Sequence, residues 1–234
     1  MTTEDVKPKR RIAGFSMLDA LLIVAAVIGI ILVILPSMAR SRARSSKVSC
    51  TNNLKQLGLS FRLWGLDNED KFPMQVSATN GGAMEQAQLG SAYAVFLVMS
   101  NELSTPKILI CPEESNPKRV AANAFALSVP PGSRSGLLPF TPTNNLSYFV
   151  GLDADEVKPE TIISGDDNFT VGKVRPIPGL LLLDTNSPVT WTKGRHEYGG
   201  NIGLADGSVQ SFSTPAFRAA LIKTGIATNR LAMP

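Results

Sequence analysis

The sequence predicts an α+β fold in which a long N-terminal membrane-spanning helix extends into a small, mainly antiparallel β head. Three observations predict it. The first is an unbroken apolar run from Ala20 to Leu35. The second is an amphipathic helical stripe that follows this run. The third is a hairpin signal at Asp206-Gly207, in a region of short candidate strands.

The apolar run has sixteen residues without a polar side chain, and extending it back to Phe15 gives twenty-one. A helix of that length spans about 32 Å, which matches a bilayer hydrocarbon core of ~30 Å. Basic clusters at 7–11 and 40–47 flank it. Residues 15–36 are therefore predicted to form a transmembrane helix, with the lipid bilayer as a partner. A cleavable secretory signal is the alternative, although its apolar region usually has only about 7–15 residues.

The charge of the chain is concentrated at its N-terminus. The 234 residues carry a net charge of +4, and residues 1–47 hold eight basic and three acidic side chains. Residues 48–234 hold 15 basic and 16 acidic side chains. A nucleic-acid-binding domain is usually basic, so we expect no nucleic-acid partner for the head.

The amphipathic stripe predicts that the helix continues beyond the apolar run. Its members recur every three or four residues: Cys50, Leu54, Leu57, Phe61 and Trp64. Such a stripe is typical of a helix that packs one face against a soluble domain. We therefore predict a helical extension over 37–68.

Residues 69–234 are predicted to form the head domain. A buried strand is expected at Leu180–Leu183, and SYFVGL at 147–152 is a second candidate strand. A hairpin is expected to pair 201–205 with 208–212 through a type I′ turn at Asp206-Gly207.

The composition and motifs exclude several classes of site. The single His excludes multi-His metal sites, and the two Cys exclude four-Cys zinc or iron–sulfur ligation. The chain contains no G-x-S-x-G, H-E-x-x-H, Walker A or G-x-G-x-x-G motif. We therefore expect no enzyme activity, no catalytic residues and no cofactor.

The N-terminal string RRIAGFSMLDALLIVAAVIGIILVILP resembles the processing signal of type IV prepilins and type II secretion pseudopilins. In that family a prepilin peptidase cuts after the glycine, here Gly14, and methylates the new amine, here that of Phe15. The acid four residues later is usually Glu, and here it is Asp19. The resemblance implies a prepilin leader at 1–14 and the ladle-shaped fold of pilins.

The segment RHEYGGNIGLADGSVQSF resembles the His-x9-Asp-Gly segment of a prepilin-like subfamily, with His196, Asp206 and Gly207 as its motif residues. CTNNLKQLGLSFRLW resembles the helix that follows the membrane in the same subfamily. These resemblances imply a structural pseudopilin or minor pilin in a type II secretion or type IV pilus-like filament. The implied partners are the prepilin peptidase and other pilin or pseudopilin subunits, contacted through the N-terminal helix. The implied location is the bacterial inner membrane, single-pass, with the head on the extracytoplasmic (periplasmic) side.

An alternative function is a membrane-anchored extracytoplasmic enzyme or ligand-binding domain centred on His196, Asp184 and Asp206. A lone His beside Glu197 and a hairpin Asp are more often structural, and Gly207 is suited to a turn because glycine tolerates positive φ. We therefore favour a structural role for this segment.

Four acidic residues are weak candidates for binding calcium: Asp153, Asp155, Asp166 and Asp167. Oxygen ligands on loops can hold Ca²⁺, although their spacing differs from the twelve-residue calcium loop. A solvated acidic loop is the alternative.

The two cysteines, Cys50 and Cys111, are candidates for a disulfide between the helix and the head. An oxidising compartment outside the cytoplasm would favour such a bridge. Loop-entropy arithmetic gives it about 4 kcal/mol of stabilisation. Two buried free thiols are the alternative.

Overall fold

Helix α1, Met17–Leu66, is the longest element of the structure, which is a computed structural model. The structure describes residues 17–126 and 136–234. The chain divides into two compact units, Met1–Arg44 and Ser45–Pro234. Within the second unit, α1 buries the predicted stripe, since Cys50, Leu57 and Phe61 are fully buried. The stripe is therefore confirmed as core.

The predicted membrane-spanning helix is wrong. No helix in the described residues is long and apolar enough to cross a membrane. The unbroken apolar run of α1 has sixteen residues, from Ala20 to Leu35, whereas a spanning helix takes about 20. Phe15 and Ser16, which the prediction added to this run, lie outside the described residues. The α+β class and the antiparallel sheet are confirmed, and the spanning helix is removed from the fold class.

In the described part of the chain, three short α-helices lie between α1 and the first strand, and a fourth lies between the last two strands. They are α2 at Met84–Gln88, α3 at Ala92–Val98, α4 at Ser100–Leu103 and α5 at Thr214–Lys223. The side chain of Ser91 caps α3 by accepting a hydrogen bond from the N–H of Ala94 at 3.2 Å. A proline in the first turn of α5 suits its start, because no helical partner exists there for an N–H.

An antiparallel sheet of six strands forms the centre of the second unit, with the order β4-β8-β1-β2-β6-β7, and β3 pairs with β5 in a separate ribbon. The strands are β1 Tyr148–Gly151, β2 Ile162–Asp166, β3 Phe169–Val171, β4 Gly179–Asp184, β5 Val189–Trp191, β6 Gly199–Leu204, β7 Val209–Ser213 and β8 Thr228–Met233. The strands predicted near 147–152 and 180–183 are present as β1 and β4. The burial predicted for the second is wrong, because Leu180 and Leu182 are exposed and Leu183 is buried.

The sheet separates two hydrophobic cores, because successive side chains of a strand point to opposite faces. Tyr148 and Val150 join the core that contains the stripe of α1, while Phe149 joins the core that contains α5. In the second core, the rings of Trp191 and Phe217 stack with centroids 4.8 Å apart. The β1–β2–β6 region is therefore fixed from both sides.

The hairpin between β6 and β7 has a different turn from the predicted type I′. Asp206 does not have a positive φ, whereas Gly207 does, at +84°. The N–H of Gly207 donates to the carbonyl of Leu204 at 2.9 Å, and the Asp206 carboxylate accepts from the N–H of Ser208 at 2.8 Å. This is a turn followed by a left-handed glycine, the arrangement of three-residue hairpin loops.

Candidate functional site

Six charged or titratable side chains form a buried cluster beside the end of β2. Each is less than a tenth exposed: Glu114, Arg119, Asp166, Asp167, Arg195 and His196. Asp166 ends β2, and Asp167 follows it. Arg195 and His196 lie in the turn before β6, and Glu114 and Arg119 lie in the segment after Cys111. Pairing of β2 with β6 brings the first two groups together.

Arg195 is the central cation of the cluster. Its Nη1 donates to the carbonyl of Ser147 at 3.1 Å, and its Nη2 contacts Asp167. Glu114 Oε2 lies 3.5 Å from Arg195 Nη1 and 3.2 Å from Arg119 Nη1. Arg119 Nη1 also lies 2.5 Å from Asp167 Oδ2. Buried charges are tolerated only when they are paired in this way.

The Glu114 carboxyl is held in its charged form. Burial alone would raise its pKa, but Arg195, the N–H of Asn116, the hydroxyl of Ser147 and Arg119 together hold the pKa below its usual value. The Ser147 hydroxyl donates to Glu114 Oε2 at 2.7 Å. Neighbouring cations and donors therefore outweigh desolvation at this group.

We expect the substitution Glu114→Gln to reduce the acid dependence of stability. A folded pKa below the usual value of 4.5 means that the unfolded chain binds the proton more readily. The stabilisation by Glu114 is therefore present above pH 4.5 and is lost as pH falls through the lower folded pKa. Urea unfolding at pH 7 and at several values below 4.5 should show the native chain and the variant converging in acid.

The control for this prediction is Glu69→Gln. Lys71 lowers the pKa of Glu69, but this pair is exposed to solvent, so its substitution should change the pH profile little. A stability difference between Glu114→Gln and the native chain that stayed constant from pH 7 into acid would contradict the assigned charge.

His196 occupies a strained turn that points its side chain into the cluster. His196, Glu197 and Tyr198 have φ values of 53°, 48° and 65°, which is left-handed backbone. Each such residue costs on the order of 1–3 kcal/mol, and strain of this kind is concentrated at active sites and ligand clamps. The His196 side chain is 1% exposed, while Tyr198 is 61% exposed.

The two ring nitrogens of His196 face different acids. Nδ1 lies 2.8 Å from Glu113 Oε2, and Nε2 lies 3.2 Å from Asp166 Oδ2. Asp166 Oδ2 also accepts from the backbone N–H and the Nδ2 of Asn201, at 2.7 and 2.9 Å. The carboxylate of Asp166 is therefore oriented toward His196 by Asn201.

Cys50 and Cys111 form a disulfide next to this histidine, with their Cα atoms 5.2 Å apart. The Sγ of Cys111 lies 3.5 Å from His196 Nε2, and the Sγ of Cys50 lies 3.2 Å from the hydroxyl of Tyr148. Burial, with the Asp166 carboxylate adding to it, raises the pKa of the Tyr148 hydroxyl. Tyr148 therefore remains protonated and donates to the sulfur.

The residues of the His-x9-Asp-Gly segment serve different parts of the structure. His196 is buried beside Asp166, whereas Asp206 is exposed in the hairpin turn. Arg62 of α1 donates to the carbonyl of Asp206 at 3.3 Å, and a Cβ on Gly58 would lie 3.5 Å from the Cα of Gly207. Asp206 and Gly207 thus pack the hairpin against α1.

The residues predicted for calcium and for the alternative function are dispersed. Asp153 pairs with Arg230 at 2.6 Å, and Asp155 accepts from the N–H of Val157 at 3.1 Å. Asp166 and Asp167 belong to the buried cluster. Asp184 is exposed and accepts from Asn186 and Ser187. Calcium binding by the four acidic residues stays a prediction.

The processing residues Gly14 and Phe15 lie outside the described residues. Asp19 is exposed in the first turn of α1. Five members of the site were not predicted from the sequence: Glu113, Glu114, Arg119, Arg195 and Asn201. The adjacent Arg195-His196 pair immediately before a Gly-rich strand was the available signal, but charge alone does not indicate burial.

One group of potential metal ligands occurs within the described part of the chain, and its members are Cys50, Cys111, Asp166 and His196. Their ligand atoms all lie within 4.8 Å of one another.

Comparison with models of protein families, with curated proteins and with solved structures found no match for this chain. The resemblance to prepilins therefore stays a prediction.

Proposed function

We propose that this protein is a structural subunit of a pilin-like filament, a pseudopilin or minor pilin that a prepilin peptidase cuts between Gly14 and Phe15. The observation that carries the proposal is the exposed apolar surface of the first part of α1. Eleven large apolar side chains there are between 46% and 69% exposed: Leu21, Leu22, Ile23, Val24, Val27, Ile28, Ile30, Ile31, Leu32, Ile34 and Leu35. Such a surface requires a partner.

The same helix of other subunits is the partner that fits this surface. A helix that is apolar on all sides is normally buried in a larger body, and burial yields about 25 cal/mol per Å² of apolar surface. Ala25 and Gly29 have the four-residue spacing of small residues that lets helices approach closely. Within the described residues, a Cβ at Gly29 would meet no atom within 4 Å beyond the backbone of its own helix. Repeated head-to-tail contacts of one such surface with another generate filaments.

The remainder of the molecule supports a display role for the head. The buried ion cluster and the disulfide join α1, the segment after Cys111 and the sheet. Disulfides persist mainly outside the cytoplasm, which agrees with a head on the extracytoplasmic side. The head would then be the part of each subunit that is displayed on the filament.

Processing gives the first test of this proposal. The full chain, incubated with a prepilin peptidase, is expected to lose residues 1–14 and to begin at N-methylated Phe15. Intact mass and N-terminal sequencing measure this. The variant Gly14→Val is the control and should remain uncut. An intact Met1, in a reaction that processes an authentic prepilin, would contradict the proposal.

Assembly gives the second test, with a matched pair of variants. Ile28→Asp places a charge on the exposed helix, while Val174→Asp places the same charge on a head side chain that is 71% exposed. We expect the cleaved chain and Val174→Asp to sediment as filaments that are visible by electron microscopy. Ile28→Asp should remain subunit-sized. Equal assembly of both variants would exclude the helix as the contact surface.

A further inference from the structure

We propose that, in its dithiol form, the protein binds one zinc ion through four buried ligands: Cys50, Cys111, His196 and Asp166. In this form the disulfide is reduced, and the two thiolates become ligands. The site lies entirely in the unit Ser45–Pro234, and it is independent of the filament role proposed above.

The distances between ligand atoms fit a tetrahedral zinc site. Zinc bonds of about 2.3 Å to sulfur and ~2.0–2.2 Å to nitrogen or oxygen give tetrahedron edges of about 3.3–3.8 Å. Cys111 Sγ lies 3.5 Å from His196 Nε2, and Cys50 Sγ lies 3.7 Å from Asp166 Oδ1. His196 Nε2 lies 3.2 Å from the other oxygen of the same carboxylate, Asp166 Oδ2, so this carboxylate must turn slightly to present one oxygen to the metal. The edge between the two sulfurs is the one that must lengthen, and reduction of the disulfide releases it.

The neighbours of the four ligands have the positions of a supporting outer shell. Metal-bound histidines usually donate their second ring N–H to a carboxylate or carbonyl. Glu113 Oε2 lies 2.8 Å from Nδ1 and accepts a hydrogen bond from the backbone N–H of His196 at 3.2 Å, which places a carboxylate beside the second ring nitrogen. Asn201 orients Asp166 through two donors, and the Tyr148 hydroxyl donates to Cys50 Sγ. Asp166 and Cys50 therefore have hydrogen-bonded neighbours in place before any metal enters.

The local charge also favours a cation. Among the described residues of the cluster, three buried carboxylates, those of Glu114, Asp166 and Asp167, face two buried guanidinium groups, those of Arg119 and Arg195. Two thiolates would add further negative charge in the dithiol form. A divalent ion offsets this excess, and the soft sulfur ligands with imidazole select zinc over calcium or magnesium.

A surface cavity of about 290 Å³ borders the site on its His196 side. His196, Tyr198 and Ser211 are among the residues that line it. The left-handed turn at 196–198 forms part of the wall. Zinc would therefore reach its ligands from the His196 side of the cluster.

The change between the two forms is a balanced two-electron step. A dithiol reductant donates two electrons and two protons to the Cys50–Cys111 bond and becomes a disulfide itself. The two cysteine thiols then release their protons to solvent as zinc binds. An oxidised chain holds the covalent bridge, and a reduced chain holds the metal at the same place.

The decisive measurement uses the full native chain, because variants of buried residues can fail to fold. The chain is reduced without oxygen by a phosphine or dithiol, freed of metal, and titrated with Zn²⁺ against a chromophoric chelator. One tightly bound zinc per reduced chain and none per oxidised chain is expected. X-ray absorption at the zinc edge should show two sulfur ligands at about 2.3 Å and two nitrogen or oxygen ligands at ~2.0–2.2 Å. Absence of binding, or a different ligand count, would overturn the proposal.

Variants then identify the residues that provide the nitrogen and oxygen ligands. His196→Ala and Asp166→Asn are expected to weaken zinc binding by more than tenfold, and Glu113→Gln by on the order of 10–100-fold through the outer shell. Asp153→Asn removes a carboxylate that pairs with Arg230 outside the cluster, so it should leave zinc affinity unchanged. A folded His196→Ala variant with native zinc affinity would overturn the assignment of this histidine.

Discussion

Arg195→Met is expected to lower the free energy of unfolding by about 3–5 kcal/mol, since removal of one partner leaves buried carboxylates without compensation. Arg195 is 1% exposed and contacts Glu114 and Asp167, which are 5% and 4% exposed. It also satisfies the carbonyl of Ser147. Urea or guanidinium unfolding at neutral pH measures the loss.

A surface arginine provides the matched control for Arg195. Arg230 makes an ion pair of similar geometry with Asp153 at 2.6 Å, but its side chain is 44% exposed. Arg230→Met should therefore cost only about 0–1 kcal/mol. The double variant Arg195→Met with Asp167→Asn should recover part of the loss, because it removes one of the unpaired charges. Equal losses for the two arginines would show that burial does not decide the effect.

Short-range patterns in the sequence predicted those parts of the fold that depend on interactions between residues near one another in the chain. The spacing of Cys50, Leu54, Leu57, Phe61 and Trp64 follows the helical period, and the helix buries that stripe. The strand at Leu180–Leu183 and the hairpin around Asp206 were also placed correctly, because apolar runs and Asp-Gly pairs act within a few residues. The turn type was wrong, since only Gly207 takes a positive φ.

The prediction of a membrane-spanning helix was wrong for a different reason. The apolar run predicts that part of the chain is removed from water, but it does not say what covers it. Sixteen unbroken apolar residues fall short of the roughly 20 that a spanning helix takes. The exposed side chains of this run can pack against the same helix of other subunits, which is the partner proposed above.

The buried cluster could not be predicted from spacing because its members are distant in the sequence. Cys50 and Asp166 are 116 residues apart, and Glu113 and His196 are 83 apart. The pairing of β2 with β6 brings Asp166 near the turn that holds His196, and the Cys50–Cys111 disulfide joins α1 to the segment that carries Glu113. The counts of His and of Cys, each taken alone, excluded multi-His sites and four-Cys sites. A mixed site of two Cys, one His and one Asp is compatible with both counts.

Removal of the disulfide is expected to cost about 4 kcal/mol, which is the loop-entropy value for cysteines 61 residues apart. Cys50→Ala, Cys111→Ala and the double variant should all lose a similar amount, because either substitution alone breaks the bridge. Free energies of unfolding from urea titration, measured with and without a metal chelator, test this non-additivity.

The reduced native chain separates the bridge from the packing of the two sulfurs. In the presence of chelator it should resemble the alanine variants, since it lacks both the covalent bond and any metal. If zinc replaces the bridge, saturating Zn²⁺ should restore stability to the reduced native chain and not to Cys50→Ala, because ligand binding stabilises only a fold that contains the site. If the double variant lost the sum of the free energies of unfolding lost by the two single variants, the cysteines would act separately. That result would contradict a bridge between them.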